Sequence, residues 1–296
     1  LAGAVARWAL ATAIIGPFYH IDAMACQRRP VTKSRERPHM NENSLFDLTG
    51  KVALVTGSSR GIGKSIVERM AQHGAKVVVS SRKADACDAV TAAINARYPG
   101  HAVTIPCNIS HKDQLQALVD KTRAHFGRID VLVCNAAVNP YAGSMADCPD
   151  DAFDKIMASN VRSNVWLANM VIPEMKARKD GAIIIVSSIG GLRGSPILGA
   201  YCISKAADFQ LARNIAVEYG PYNIRANAIA PGLIRTDFAR YLWENPDILK
   251  RATDTAPLKR IGEPDEIAGL AVMLASRAGA FMTGQALVAD GGQTIS

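Results

Sequence analysis

Residues 52–63 read Val52-Ala53-Leu54-Val55-Thr56-Gly57-Ser58-Ser59-Arg60-Gly61-Ile62-Gly63, an apolar run that passes through three glycines into a helical pattern. Four apolar residues in succession suit a strand buried on both faces. Gly57, Gly61 and Gly63 let the chain turn tightly and bring its backbone close to a pyrophosphate, with Ser59 and Arg60 between them. The anion would then sit on the positive end of the helix dipole. The spacing is G-x3-G-x-G, and ordinary strand–helix turns use glycines too. Position gives the motif its weight, since it follows the first strand of an alternating series.

That series extends to the end of the chain. Strand-like runs cover Val52–Thr56, Lys76–Ser80, Ala102–Pro106, Val131–Cys134, Ala182–Ser187, Arg225–Ala230 and Ala286–Ala289. Helical patterns lie between them over Gly63–His73, Ala84–Arg97, Lys112–Phe126, Asp151–Ala177, Ala200–Tyr219 and Asp265–Ser276. Strand–helix alternation with non-alternating apolar strands implies an α/β fold, a single doubly wound Rossmann-type parallel sheet flanked by helices. Residues 40–296 show no linker and are expected to form one domain. Residues 1–39 are expected to be a disordered or non-native extension, because Gln27 to Pro38 is basic and Pro-bounded. A transit peptide is the alternative.

Of 296 residues, 49% are hydrophobic, 20% charged and 6% aromatic, the composition of a soluble globular enzyme. Half of the net charge of +8 comes from residues 1–39, which hold six bases and two acids. The body is only mildly basic, with no stripe of bases interleaved with aromatics, so no nucleic-acid partner is expected. Trp8 to Tyr19 is too short to span a membrane, and no membrane partner is expected. The six cysteines show no CxxC, which argues against structural zinc or a disulfide scaffold and for a reduced, cytoplasmic setting. No metal site is expected.

Coenzyme choice should be set at the end of the second strand, where a carboxylate would grip an unphosphorylated ribose. Ser80-Ser81-Arg82-Lys83 stands there instead. Ser81 and Arg82, with Arg60 from the glycine turn, make a site for a 2′-phosphate, so NADP(H) is the expected cofactor. A solvated loop, with Asp85 or Asp88 reaching the ribose, is the competing reading.

The most specific group is Tyr201-Cys202-Ile203-Ser204-Lys205, preceded by Ser187-Ser188 at a strand end. Tyr201 and Lys205 are four apart on a predicted helix and share a face. An ammonium beside a phenol lowers the tyrosine pKa, toward neutrality on this reading. Such a tyrosine can hand its proton to a carbonyl oxygen as hydride arrives, and Ser188 can hydrogen-bond the same oxygen. All six histidines precede Ser188, so a Ser–His–Asp hydrolase has little support.

With these residues assembled, Lys51 to Gly292 resembles the short-chain dehydrogenase/reductase family. The carrying residues are the Thr56–Gly63 turn, Asn135-Ala136-Ala137, Asn160, Ser188, Tyr201–Lys205, Pro231-Gly232 and Thr236. Within the family it is most similar to NADPH-dependent carbonyl reductases of the dehydrogenase/reductase type, and more distantly to 3-oxoacyl-carrier-protein reductases. The resemblance implies that Tyr201 is the general acid/base, Ser188 polarises the carbonyl and Lys205 binds the nicotinamide ribose. Asn160 would hold a water relaying protons to Lys205. It implies further cofactor contacts from Ile62, Asn108, Ile109, Asn135, Pro231, Gly232, Ile234 and Thr236, and a homotetramer.

Two positions depart from the family pattern. Ala137 replaces the usual glycine of Asn-Ala-Gly, and Asn108 replaces an aspartate that meets the adenine. An amide carbonyl can still accept from an adenine amine, so adjusted cofactor affinity is expected. Phe238–Trp243 is expected either to cover the substrate as a mobile apolar lid or to pack as a helix on its own body. Lys250, Arg251, Lys259 and Arg260 either guide an acidic carrier or form a solvated face. The expected activity is NADP(H)-dependent interconversion of a ketone or aldehyde, a small-molecule substrate, with an alcohol. The alternatives are a 3-oxoacyl thioester reductase and a non-catalytic nucleotide-binding scaffold.

Overall fold

The computed structural model describes residues 45–296. The extension expected over residues 1–39 lies outside the described residues. In chain order the elements are β1 (Val52–Thr56), α1 (Gly61–Gln72), β2 (Lys76–Ser80), α2 (Ala84–Arg97), β3 (Ala102–Thr104), α3 (Lys112–Phe126) and β4 (Val131–Cys134). There follow α4 (Asp150–Met157), α5 (Ser163–Arg178), β5 (Gly181–Val186), α6 (Gly199–Tyr219) and β6 (Ile224–Pro231). The last elements are α7 (Arg240–Trp243), α8 (Pro246–Thr255), α9 (Pro264–Ala275) and β7 (Ala286–Ala289).

All strands pair in parallel, in the order β3-β2-β1-β4-β5-β6-β7. The winding direction reverses between β1 and β4, and a crevice for a ligand opens beyond the carboxyl ends of those strands. This is the doubly wound Rossmann-type sheet expected from the sequence.

Alternate residues of each strand feed two cores. Ala53 and Val55 of β1 and Ile184 of β5 pack with Ile66 and Met70 of α1 and Ile267 and Val272 of α9. Leu54, Ile183 and Ile185 face the other way, onto Leu118 of α3, Leu167 of α5 and Phe209 of α6. Apolar burial on both faces explains why these strands lack polar alternation.

Most boundaries differ from the sequence expectation by a residue or two, and α8 lies outside the expected helical patterns; two of the differences have a clear physical cause. β3 stops at Thr104, although the Ile105 and Cys107 N–H groups still bond the β2 side. Pro106 between them has no N–H to continue the ladder. The helix expected over Asp151–Ala177 is broken by a π-helical turn at Ala158–Arg162, between α4 and α5. A π turn inserts an extra residue and reorients the side chains it carries. Here it carries Asn160.

Candidate active site

Tyr201 and Lys205 stand one turn apart on α6, at the carboxyl end of the sheet. Lys205 is buried, at 2% exposure, and its Nζ lies 5.7 Å from the centre of the Tyr201 ring. The ammonium donates to the Val186 carbonyl at the end of β5 and to Asp208 Oδ2, each at 3.0 Å. Ser187 Oγ donates to the Lys205 carbonyl at 2.7 Å, which stitches the end of β5 to α6.

Ser188 sits two residues past β5 and caps the short turn Ile189–Gly191, accepting from the Gly190 N–H at 3.0 Å. That turn lies directly on α6. A Cβ on Gly191 would come within 2.6 Å of the Lys205 carbonyl carbon. Only glycine permits this approach.

The tuning of Tyr201 corrects the sequence expectation. Burial lifts its phenol above the ordinary tyrosine value, against the opposing pull of Lys205 and of the Ser188 hydroxyl. Asp208 adds to the rise, because its carboxylate balances the ammonium that would stabilise phenolate. Burial disfavours the Lys205 ammonium, but Asp208 and Tyr201 outweigh it and hold Lys205 above the ordinary lysine value. The phenol is therefore raised, not brought toward neutrality.

Asn160 uses its side chain for structure. Its Oδ1 accepts from the Val138 N–H at 2.8 Å, and its Nδ2 donates to the Val138 carbonyl and to Ser204 Oγ. Ser204 in turn donates to the Tyr201 carbonyl at 2.7 Å, which links the π turn to α6. The Asn160 backbone carbonyl accepts the Asn164 side-chain amide at 2.6 Å.

The glycine turn lies across the crevice. Gly57 and Gly61 have positive φ, +66° and +55°, a conformation side chains disfavour. A Cβ on Gly63 would overlap both the Gly57 carbonyl and Asn135 Nδ2. Asn135 closes the turn from β4, donating to the carbonyls of Thr56 at 2.9 Å and Gly57 at 3.1 Å. Arg60 offers no side-chain cap to α1, and no acid stands in its first turn. Among the described residues nothing accepts from the N–H groups of Gly61, Ile62 and Gly63. Uncapped N–H groups at a helix amino end, with glycine giving close access, fit the pyrophosphate of a dinucleotide.

Ser58, absent from the expected set, joins this turn to β2. Its N–H donates to the Ser80 carbonyl and its Oγ accepts from the Ser80 N–H. Ser59-Arg60 and Ser81-Arg82 thus leave from one stitched point. Arg82 is exposed, while Ser81 Oγ touches Cys87 Sγ at 3.1 Å. Asn108 Oδ1 accepts from the Ser110 N–H at 3.2 Å, so part of its acceptor capacity is already used next to Ile109.

Pro231 ends β6, and the loop after it carries Gly232, Ile234 and Thr236 to the crevice. Gly232 packs on Asp290, Ile234 is buried, and the Thr236 side chain sits against Gly61. Asp237 pairs with Arg60 at 3.5 Å and with Arg240 at 2.6 Å. The expected lid includes α7, anchored where Trp243 Nε1 donates to the Thr236 carbonyl. Phe238 faces Tyr201 with ring centres 6.1 Å apart. The basic group beyond is largely committed elsewhere. Lys250 pairs with Asp254, Lys259 donates to the Asp254 carbonyl and Arg260 pairs with Glu266.

No helix among the described residues is long and apolar enough to cross a membrane. No cluster of metal-binding side chains occurs among them.

A family profile described as enoyl-(acyl carrier protein) reductase matches residues 57–294. Dehydrogenase/reductase SDR family member 4 of Bos taurus is 43% identical over 246 residues, 83% of this chain and 88% of that protein. A solved gluconate 5-dehydrogenase from Burkholderia cenocepacia, in complex with NADP and tartrate, has a TM-score of 0.82 at 30% identity. That match covers 86% of this chain and 98% of the other. A 7α-hydroxysteroid dehydrogenase complexed with NADH and 7-oxo glycochenodeoxycholic acid scores 0.81 at 36% identity, with the same coverage of 86% and 98%.

Proposed function

The chain belongs to the short-chain dehydrogenase/reductase family of nicotinamide-dependent oxidoreductases, and on that premise we propose that it reduces a ketone or aldehyde to an alcohol with NADPH. The observation that carries this reading is the Tyr201–Lys205 pair on α6, with Ser188 beside the phenol and the glycine turn across the same crevice. Tyr201 gives its phenolic proton to the carbonyl oxygen, and Ser188 donates a hydrogen bond to that oxygen. Lys205 holds the ribose and steadies the charge on Tyr201. Asn160 ties the π turn to α6 and so fixes the wall behind Lys205. When bound, the nicotinamide supplies the hydride.

Two of the solved relatives hold different coenzymes, NADP in one and NADH in the other, so the choice rests on this chain's own residues. Ser81, Arg82 and Arg60 supply a hydroxyl and two guanidiniums, with no carboxylate at the end of β2. That set favours a 2′-phosphate. Phe238 over Tyr201 favours an apolar group next to the carbonyl. The scaffold reading is disfavoured by a complete set of Ser188, Tyr201, Lys205 and Asn160. The homotetramer is proposed from the family resemblance alone.

The test is NADPH oxidation by the purified protein against diketones, aromatic ketones, quinones, 3-oxoacyl thioesters and an enoyl thioester. Consumption with a ketone, aldehyde or diketone supports the proposal. Turnover confined to 3-oxoacyl thioesters would favour the alternative reductase. Turnover confined to the enoyl thioester would move the chemistry to a carbon–carbon double bond, and no turnover with any of them would overturn the reductase reading.

A further inference from the structure

Asp208 lies one turn beyond Lys205 on α6 and is fully buried. A buried carboxylate is costly unless it is paired and hydrogen-bonded, and this one is both. Its Oδ2 accepts from Lys205 Nζ and its Oδ1 from Asn164 Nδ2, each at 3.0 Å. Burial pushes the Asp208 carboxyl above the usual carboxylate range, and the Lys205 ammonium and Asn164 amide, one on each oxygen, pull the other way and favour the carboxylate. The Asn164 amide also donates to the Asn160 backbone carbonyl. One connected path therefore runs from the π turn through Asn164 and Asp208 to Lys205. The path is almost wholly shielded from solvent: Asn160, Asn164, Lys205 and Asp208 are all buried.

We propose that Asp208 is a positioning residue of this site, fixing the Lys205 ammonium against β5 with the help of Asn164 and balancing its charge so that Tyr201 serves as proton donor. This rests on the carbonyl-reductase reading above. The titratable groups facing Lys205 and Asp208 are few. Tyr201 lies on α6, with Cys202 beside it, and Cys134 comes from β4, with its thiol raised by burial. From β5 and α5 come only the neutral Val186 carbonyl and Asn164 amide. With the carboxylate present, ammonium, carboxylate and phenol sum to zero charge. Without it, a buried site carrying a net positive charge sheds a proton at lower pH from the Tyr201–Lys205 pair, whose apparent pKa belongs to both groups. Either loss removes the form that reduces a carbonyl.

The experiment is the pH profile of kcat/KM for NADPH-dependent carbonyl reduction in the wild-type protein, Asp208→Asn and Asp208→Glu. The basic limb of the wild-type profile, set by the Tyr201–Lys205 pair, is the reference. In Asp208→Asn the basic limb should move down by about one pH unit or more, the size of effect expected from a charge at this range. Asp208→Glu should bring it back toward the wild-type position. A variant that merely loosened packing would lower the whole profile without moving the limb. An unmoved limb in an active Asp208→Asn protein would overturn the proposal. So would an Asp208→Glu protein whose limb is displaced as far as that of Asp208→Asn. Absence of carbonyl reduction by the wild type would instead overturn the reductase reading on which the proposal rests.

Discussion

The Arg60 guanidinium, at the tip of the glycine turn, reaches the Asp237 carboxylate on the loop after β6 at 3.5 Å. Thr236, one residue earlier, packs on Gly61 of the same turn. The two loops that flank the crevice are thus latched by one ion pair and one methyl contact. Both partners of the pair are substantially exposed, so the latch is weak, about 0–1 kcal/mol. Arg60 has two prospective anionic partners, Asp237 and a 2′-phosphate. Asp237→Asn releases it and should tighten NADPH binding up to about five-fold, while NADH binding changes less. Fluorescence titration of both coenzymes checks this. Weaker NADPH binding in the variant would show that Asp237 assists binding instead of competing.

Coenzyme preference should reverse when the charges at the end of β2 are exchanged. Ser81→Asp with Arg82→Ala puts a carboxylate where a 2′-phosphate would lie and removes one guanidinium. Charge-assisted contacts are worth ~1.5–3 kcal/mol each, so NADPH should weaken by an order of magnitude or more while NADH improves. The ratio of kcat/KM for the two coenzymes measures the switch. A wild-type ratio that already favours NADH would remove Arg60 and Arg82 from coenzyme selection.

The sheet was legible in the sequence because strands buried on both faces must be apolar throughout, and Ala182-Ile183-Ile184-Ile185-Val186 is short, β-branched and without alternation. Tyr201 and Lys205 were legible because their spacing is local. What escaped was whatever depends on a distant partner. Asp208 reads as a polar position on a long helix until Asn164, 44 residues away, is brought against it. Ser58 looks like turn filler until Ser80 takes up both its N–H and its hydroxyl. The π turn at Ala158–Arg162 leaves no mark in the hydrophobic period of Asp151–Ala177. Local spacing also gave Tyr201 a lowered pKa, whereas burial and Asp208 reverse the direction.

Gly191 should matter to catalysis without touching substrate. Its Cα lies against the Lys205–Ala206 backbone, where a methyl group would come within 2.7 Å of the Ala206 nitrogen. Gly191→Ala must push the Ser188 turn away from α6, and misplacement of a catalytic group by about 1 Å can cost about 100-fold. The variant should keep its fold and most of its coenzyme affinity while kcat falls at least about ten-fold. Circular dichroism, coenzyme titration and steady-state kinetics together read this. An unchanged kcat would mean that the turn has room the structure does not show.

In the proposed function Tyr201 donates the proton in carbonyl reduction, and Tyr201→Phe bears on this without an intermediary. The substitution removes one oxygen and keeps the ring that faces Phe238. Steady-state reduction of the best carbonyl substrate should be measured alongside fluorescence titration of NADPH. The expected result is a fall in kcat of about 10²–10⁴-fold, with NADPH affinity nearly unchanged. A Tyr201→Phe protein that keeps more than about a tenth of the wild-type kcat would contradict it, because general acid catalysis by this phenol could not then be carrying the reaction.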